Sequence, residues 1–203
     1  MYANIMVTVL LWTIYFFLHS FLAARKVKNF IRQKNPFMAR YYRLMYGIIS
    51  ILGLMPIFYF LAITRSEFLI KQTEVLKYVS MALSTWGVIV IKQSFKSYSL
   101  REFLGIKNQK EQTLIKSGLL KYMRHPLYSG TILLCLGFWL FIPNTLNLVS
   151  IISIFTYLII GIKLEEVKLL EEFGEEYAAY KQKVPSIIPH VKRIWESNQH
   201  SNS

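Results

Sequence analysis

The chain reads as an all-α integral membrane protein, a bundle of about five transmembrane helices followed by an amphipathic cytoplasmic helix. Three observations carry that expectation. Of the 203 residues, 54% are hydrophobic, above the usual globular range. The apolar residues fall into five runs of near-spanning length. The formal charge of +13 is confined to the segments between those runs, which is how loop charges orient a membrane bundle and unlike a continuous nucleic-acid-binding face. No nucleic-acid partner is expected; the lipid bilayer is.

The five runs are Asn4 to Ala24, Met45 to Ile63, Val75 to Ile91, Leu127 to Ile142 and Leu146 to Ile162. Crossing a hydrocarbon core about 30 Å thick takes roughly 20 such residues. The first run lacks a basic segment before it and a small-residue cleavage site after it, so it is expected to remain as a helix. The last two are short and separated only by "PNTLN", which predicts a tight helical hairpin. With no polar linker and no internal repeat, residues 1–195 form one domain, and the polar end "ESNQHSNS" makes 196–203 a disordered tail.

Charges set the orientation. Between the first two runs lie Arg25, Lys26, Lys28, Arg32, Lys34, Arg40 and Arg43, with no acidic residue among them. Lys96, Arg101, Lys107, Lys110, Lys116, Lys121 and Arg124 follow the third run, whereas "PNTLN" is uncharged. The positive-inside rule then places the N-terminus outside and the C-terminus in the cytoplasm, most simply in a bacterial inner membrane. Beyond the fifth run, Leu164, Val167, Leu170 and Phe173 recur at helical spacing between charges, so the helix runs on as an amphipathic extension. Gly174 interrupts it, and Pro185 and Pro189 end it.

Chemistry concentrates at one threshold. In "KYMRHPLYSG", residues 121–130, Pro126 suits the first position of a helix because its missing N–H has no intrahelical partner there. Arg124 and His125 then stand at the helix mouth, facing either a ligand or, for Arg124, lipid phosphates. Glu165 and Glu166 end the fifth run on the same side, where carboxylates need a cation or water. Lys163, Lys168, Arg124 or a cationic ligand would serve, and so would simple solvation. Cys135 is the only cysteine, which excludes an internal disulfide and a cysteine metal cluster; no metal is expected. His19, near the end of the first run, suits either packing or substrate contact.

Taken together, "RHPLYSG" and then "LEEVKLLEEFGEEYAAYKQKVPSIIP" resemble the shared signature of the membrane methyltransferases that include isoprenylcysteine carboxyl methyltransferase and the phospholipid methyltransferases. The signature occupies 118–189. "LHSFLAARKVKNFI", "RYYRLMYGIIS" and "SYSLREFLGIKN" are similar to the NnrU-type branch, which includes methanethiol S-methyltransferases. Where that branch reads FDLFGLRQ, this chain has "SLREFLGIKN", without the aspartate or the Arg-Gln pair.

The resemblance implies an S-adenosylmethionine-dependent methyltransferase acting on a small or lipophilic thiol, with an isoprenylcysteine-like carboxylate or a lipid amine as alternative acceptors. A non-enzymatic NnrU-type accessory or transport protein is the alternative of another class. S-adenosylmethionine carries a sulfonium, an ammonium and a carboxylate, so its site needs acidic and basic partners together. His125 and Arg124 are the expected catalytic residues. Tyr122, His125, Tyr128, Gly130, Glu165 and Glu166 are the expected cofactor contacts, and His19 and Arg101 the expected substrate contacts.

Overall fold

The structure, a computed structural model, describes residues 1–96 and 113–189. Arg101 and the 196–203 tail lie outside the described residues. α1 (Tyr2–Ala23) has no charged residue, so nothing opposes its burial in lipid. The basic connection is itself helical: α2 (Arg25–Lys34) follows an extended Ala24, and α3 (Pro36–Ile63) begins two residues later. The apolar part of α3 is Leu44–Ile63, and Pro56 sits inside it, as membrane helices tolerate. α4 (Glu74–Lys96) places Glu74 in its first turn and Lys96 in its last, both complementing the helix dipole. A 3-10 turn (Gly118–Lys121) leads to α5 (Pro126–Phe141), and α6 (Thr145–Lys183) completes the order.

Four of these helices are long and apolar enough to cross a membrane, and α5, with 16 residues, is a shorter fifth. At 1.5 Å per residue α5 is only about 24 Å long. Outward residues such as Phe17, Ile51, Tyr59, Trp86 and Ile152 are largely exposed. That much open apolar surface is what a bilayer covers. The connections alternate as five crossings require. Leu69 N–H donates to Pro143 O at 2.8 Å and Thr145 N–H to Glu67 O at 3.1 Å, which joins the α3–α4 loop to the α5–α6 turn on one membrane side. The ends of α1, α4 and the apolar part of α6 stand at the other.

α4 and α5 form the closest helix pair. A Cβ added to Gly87 would sit 2.6 Å from Leu134 N, and one added to Gly130 would sit 2.9 Å from Gly87 O. Buried Ser80, Gly87 and Ser94 repeat every seventh residue on α4, opposite Gly130 and Gly137 on α5. Small residues on both sides let the backbones touch, which is how helices associate without a hydrophobic drive between them.

α6 is not straight. Gly174 adopts φ 51°, ψ −127° within it, a conformation that L side chains avoid. Its apolar stretch ends near Ile162, and the charged remainder lies beyond the span. There the amphipathic stripe divides, and Phe173 packs against the Tyr177, Tyr180 and Val184 cluster. Leu164 and Val167 are exposed, while Glu166 is buried together with Tyr177 and Tyr180. The reason is electrostatic: the carboxylate has cations to meet on the inside, and the apolar residues have lipid or its interface on the outside.

Candidate functional site at the α5–α6 mouth

Glu166 is the centre of the site. Its Oε1 accepts from Arg124 Nε at 3.0 Å and Nη2 at 2.5 Å, and from His125 Nε2 at 3.2 Å. Its Oε2 pairs with Lys181 Nζ at 2.8 Å. A carboxylate only accepts, so His125 presents Nε2–H to it. Glu166 is 8% exposed. Burial alone would raise its pKa, but the hydrogen bonds from Lys181, Arg124 and His125 outweigh burial and hold the carboxyl down at about 2.

Arg124 is engaged on every side. Besides Glu166, its Nη1 donates to Lys181 O at 3.0 Å and to Val184 O. Backbone bonds extend the seam: Arg124 N–H to Pro185 O at 2.8 Å, His125 N–H to Ser186 O at 2.9 Å. Ser129 Oγ then donates to Ile187 O at 2.7 Å, and Tyr180 Oη to Leu120 O at 2.6 Å. Residues 184–187 are therefore stitched along the start of α5, which only a helix folded back at Gly174 allows. Tyr177, 1% exposed, fills the fold with Tyr180 and Val184. Burial pushes its hydroxyl up to about 12, with the Glu166 carboxylate adding to the shift.

His125 caps α5, and Pro126 takes the first helical position as the sequence predicts. The histidine does not project outward: it is 3% exposed, turned onto Glu166, with Tyr128 edge-on at 5.5 Å between ring centroids. Glu165 is the open member of the cluster, its side chain 44% exposed and its Oε2 3.6 Å from His125 Nδ1. Glu165 also shares a side-chain hydrogen bond with the Tyr128 hydroxyl. A Cβ at Gly161 would lie 3.5 Å from that hydroxyl, so the ring reaches across to α6 one turn before Glu165.

The structure thus brings Arg124, His125, Tyr128, Glu165 and Glu166 together. Tyr122, half-buried, closes the 3-10 turn two residues before Arg124. Gly130 faces the other way, into the Gly87 contact on α4. His19 lies on the α1–α3 side, where its Nε2 meets Tyr46 Oη at 2.7 Å and its Nδ1 meets Ser50 Oγ at 3.1 Å. Tyr157 of α6 stacks on Phe16 at 4.2 Å and bonds Ser20 at 3.0 Å, linking that cluster to the Tyr157, Gly161, Glu165 face. Sequence reasoning missed Lys181, Tyr46, Ser50 and Tyr157. For Lys181 a signal existed: an interrupting glycine at 174 followed by Pro185 marks a chain able to turn back. For the others only the fold supplies the neighbours.

A family model described as NnrU protein matches residues 6–195. A methanethiol S-methyltransferase from Crocosphaera subtropica is 30% identical over 73% of this chain and 61% of its own length. A protein-S-isoprenylcysteine O-methyltransferase from Xenopus laevis is 28% identical over 62% of this chain and 44% of its own. A methanethiol S-methyltransferase from Pseudomonas deceptionensis is 28% identical over 93% of this chain and 74% of its own. The chain therefore spans less than two thirds of the first two relatives. No solved structure gives a significant match.

Proposed function

This chain belongs to the NnrU family, and from that membership and the α5–α6 mouth we propose that it is a membrane-embedded methyltransferase carrying a methyl group from S-adenosylmethionine to a small or lipophilic thiol. The single observation that carries the reading is an open carboxylate, Glu165, beside His125 and Tyr128 at a membrane mouth, braced by a buried ion cluster. The relatives' names, methanethiol S-methyltransferase among them, supply the reaction class.

The residues present fit the cofactor's chemistry. A ligand with ammonium and sulfonium groups calls for an accessible carboxylate and aromatic faces, and Glu165 with Tyr128 offers both. When bound, S-adenosylmethionine supplies an activated methyl group. Glu165, Tyr128, His125 and Tyr122 would hold it. In this reading Arg124 and Glu166 bind each other and thereby fix the wall on which His125 stands, and Gly130 lets α5 seat on α4. Methyl transfer needs alignment and exclusion of water, which a preformed ionic cluster closed by residues 184–187 promotes.

The basic segments at 25–43 and beyond Lys96 support a cytoplasmic mouth, hence a cytoplasmic C-terminus in a bacterial inner membrane. The isoprenylcysteine O-methyltransferase relatives favour a carboxylate acceptor as the second reading. The test is titration of the detergent-purified protein with S-adenosylmethionine, followed by transfer of labelled methyl to an alkyl thiol and to a prenylcysteine. Binding and thiol methylation are expected. A folded protein that binds no S-adenosylmethionine would leave the accessory or transport role instead.

A further inference from the structure

At α2 the chain's positive charge meets the bilayer. The first acidic residue of the sequence is Glu67, so the corner between α1 and α3 carries Arg25, Lys26, Lys28, Arg32, Lys34, Arg40 and Arg43 with no carboxylate in its own stretch. The ten residues of α2 hold the first five of those cations together with Val27, Phe30 and Ile31. Such a helix is too polar to span a membrane, yet it carries an apolar side that seeks one, and its resting place is the headgroup layer.

The neighbouring helices fix where α2 sits. α1 ends at Ala23, and the extended Ala24 (φ −64°, ψ 135°) turns the chain away from the α1 axis. Tyr42 Oη donates to Leu22 O at 2.5 Å, which sets that turn of α3 level with the end of α1. α3 has begun six residues earlier, at Pro36, which stands about 9 Å further along its axis. α2, about 15 Å long, closes the triangle between those two points and so runs obliquely along the membrane surface.

One face of α2 suits that layer. Lys26, Phe30 and Lys34 follow one another at four-residue spacing on one side of the helix, and all three are exposed. Phe30 is 57% exposed, with Lys34 Nζ 4.8 Å from the centre of its ring. Val27 and Ile31, also four apart, are half-buried, so Phe30 is the apolar residue of α2 that the fold leaves outside. An aromatic ring with an ammonium one turn to either side is complementary to an anionic lipid surface: the ring enters between headgroups and the lysine stems carry their charges to the phosphates. A free inorganic anion would engage the lysines and leave the ring in water.

We propose that the Lys26, Phe30 and Lys34 face of α2 docks on anionic phospholipid headgroups of the leaflet at the α5–α6 mouth. The lysines supply attraction to a negatively charged leaflet, and Phe30 supplies apolar burial. A zwitterionic leaflet accepts the ring but offers the lysines no net charge. This docking is independent of methyl transfer, and neither donor nor acceptor is needed to observe it.

The test is amide hydrogen exchange of the full chain in nanodiscs of phosphatidylcholine, alone or mixed with phosphatidylglycerol. Exchange across Arg25–Lys34 should be roughly 10-fold or more slower in the anionic discs, and added salt should erase most of that difference. Lys26→Gln combined with Lys34→Gln should lose nearly all of the slowing, at about fivefold for each lysine, and Phe30→Ser should weaken it. Lys77→Gln, at the far end of α4, should keep it. Both α2 lysines are exposed, so the double variant should retain the parent's thermal transition. If it does not, the salt dependence of the parent's slowing decides alone. Equal exchange in the two discs, a slowing that the folded double variant or high salt leaves intact, or one that inorganic phosphate reproduces in phosphatidylcholine discs would each overturn the proposal.

Discussion

Glu166 and Lys181 lie fifteen residues apart on α6, yet their side chains meet at 2.8 Å. A straight helix would separate them by about 22 Å. The break at Gly174 closes that distance, and Arg124 grips both arms at once through Glu166 and the Lys181 and Val184 carbonyls. The mouth of the bundle therefore owes its shape to one glycine and one carboxylate.

Glu166→Gln should lower thermal stability sharply. It leaves buried Arg124 without its counterion, a change worth about 3 kcal/mol or more in buried pairs. Thermal unfolding in detergent checks it, and a shift no larger than that of the exposed Glu74→Gln would contradict it.

Acid should act on the same contact. The folded Glu166 carboxyl is held at about 2 against an ordinary 4.5, so its contribution is fully present above about 4.5 and is lost as pH falls toward 2. The groups facing it are Arg124, His125 and Lys181, with Glu165 and Tyr177 adjoining. Stability of the parent should drop across that window more steeply than stability of Glu166→Gln. Parallel curves for the two proteins would contradict this.

Gly174→Ala meets open space but not an allowed backbone, since the left-handed φ of 51° penalises a Cβ. A cost of about 1–3 kcal/mol is expected, with weaker S-adenosylmethionine binding because the folded-back arm loosens. Unchanged stability and binding would show that the turn does not shape the site.

Gly87→Ala presses a methyl group against the backbone of Leu134 and Gly130, and Gly130→Ala presses one against the Ile91 side chain and against backbone atoms of Gly87 and Ile91, which cannot yield. Each should cost about 1–3 kcal/mol. Gly47→Ala, which meets nothing within 4 Å, is the matched control for unfolding measurements.

Much of this was legible in the chain. The five apolar runs fall on helices because length and hydropathy mark them, four long enough to span and α5 shorter. Pro126 at the start of α5 and Gly174 as a break were readable from backbone chemistry. The pairing of Glu166 with Arg124 was one of several options that the sequence left open, and the fold selects it. The helical α2 was hidden by its dense positive charge, which reads first as loop orientation. His125 read as a ligand-facing group at a helix mouth, and its burial depends on residues 184–187 returning across it, a long-range event that no local pattern encodes. Helical periodicity marked Leu164, Val167, Leu170 and Phe173 as one apolar stripe without saying where it points, and the fold leaves Leu164 and Val167 exposed.

The most direct measurement is the affinity of the purified parent and of Glu165→Gln for S-adenosylmethionine, taken with their thermal transitions. The parent is expected to bind, and Glu165→Gln to bind roughly 10-fold or more weakly at nearly unchanged stability, as loss of one charged contact implies. Equal affinity in the two folded proteins would remove Glu165 from the site, and no binding by the parent would contradict the methyltransferase account as a whole.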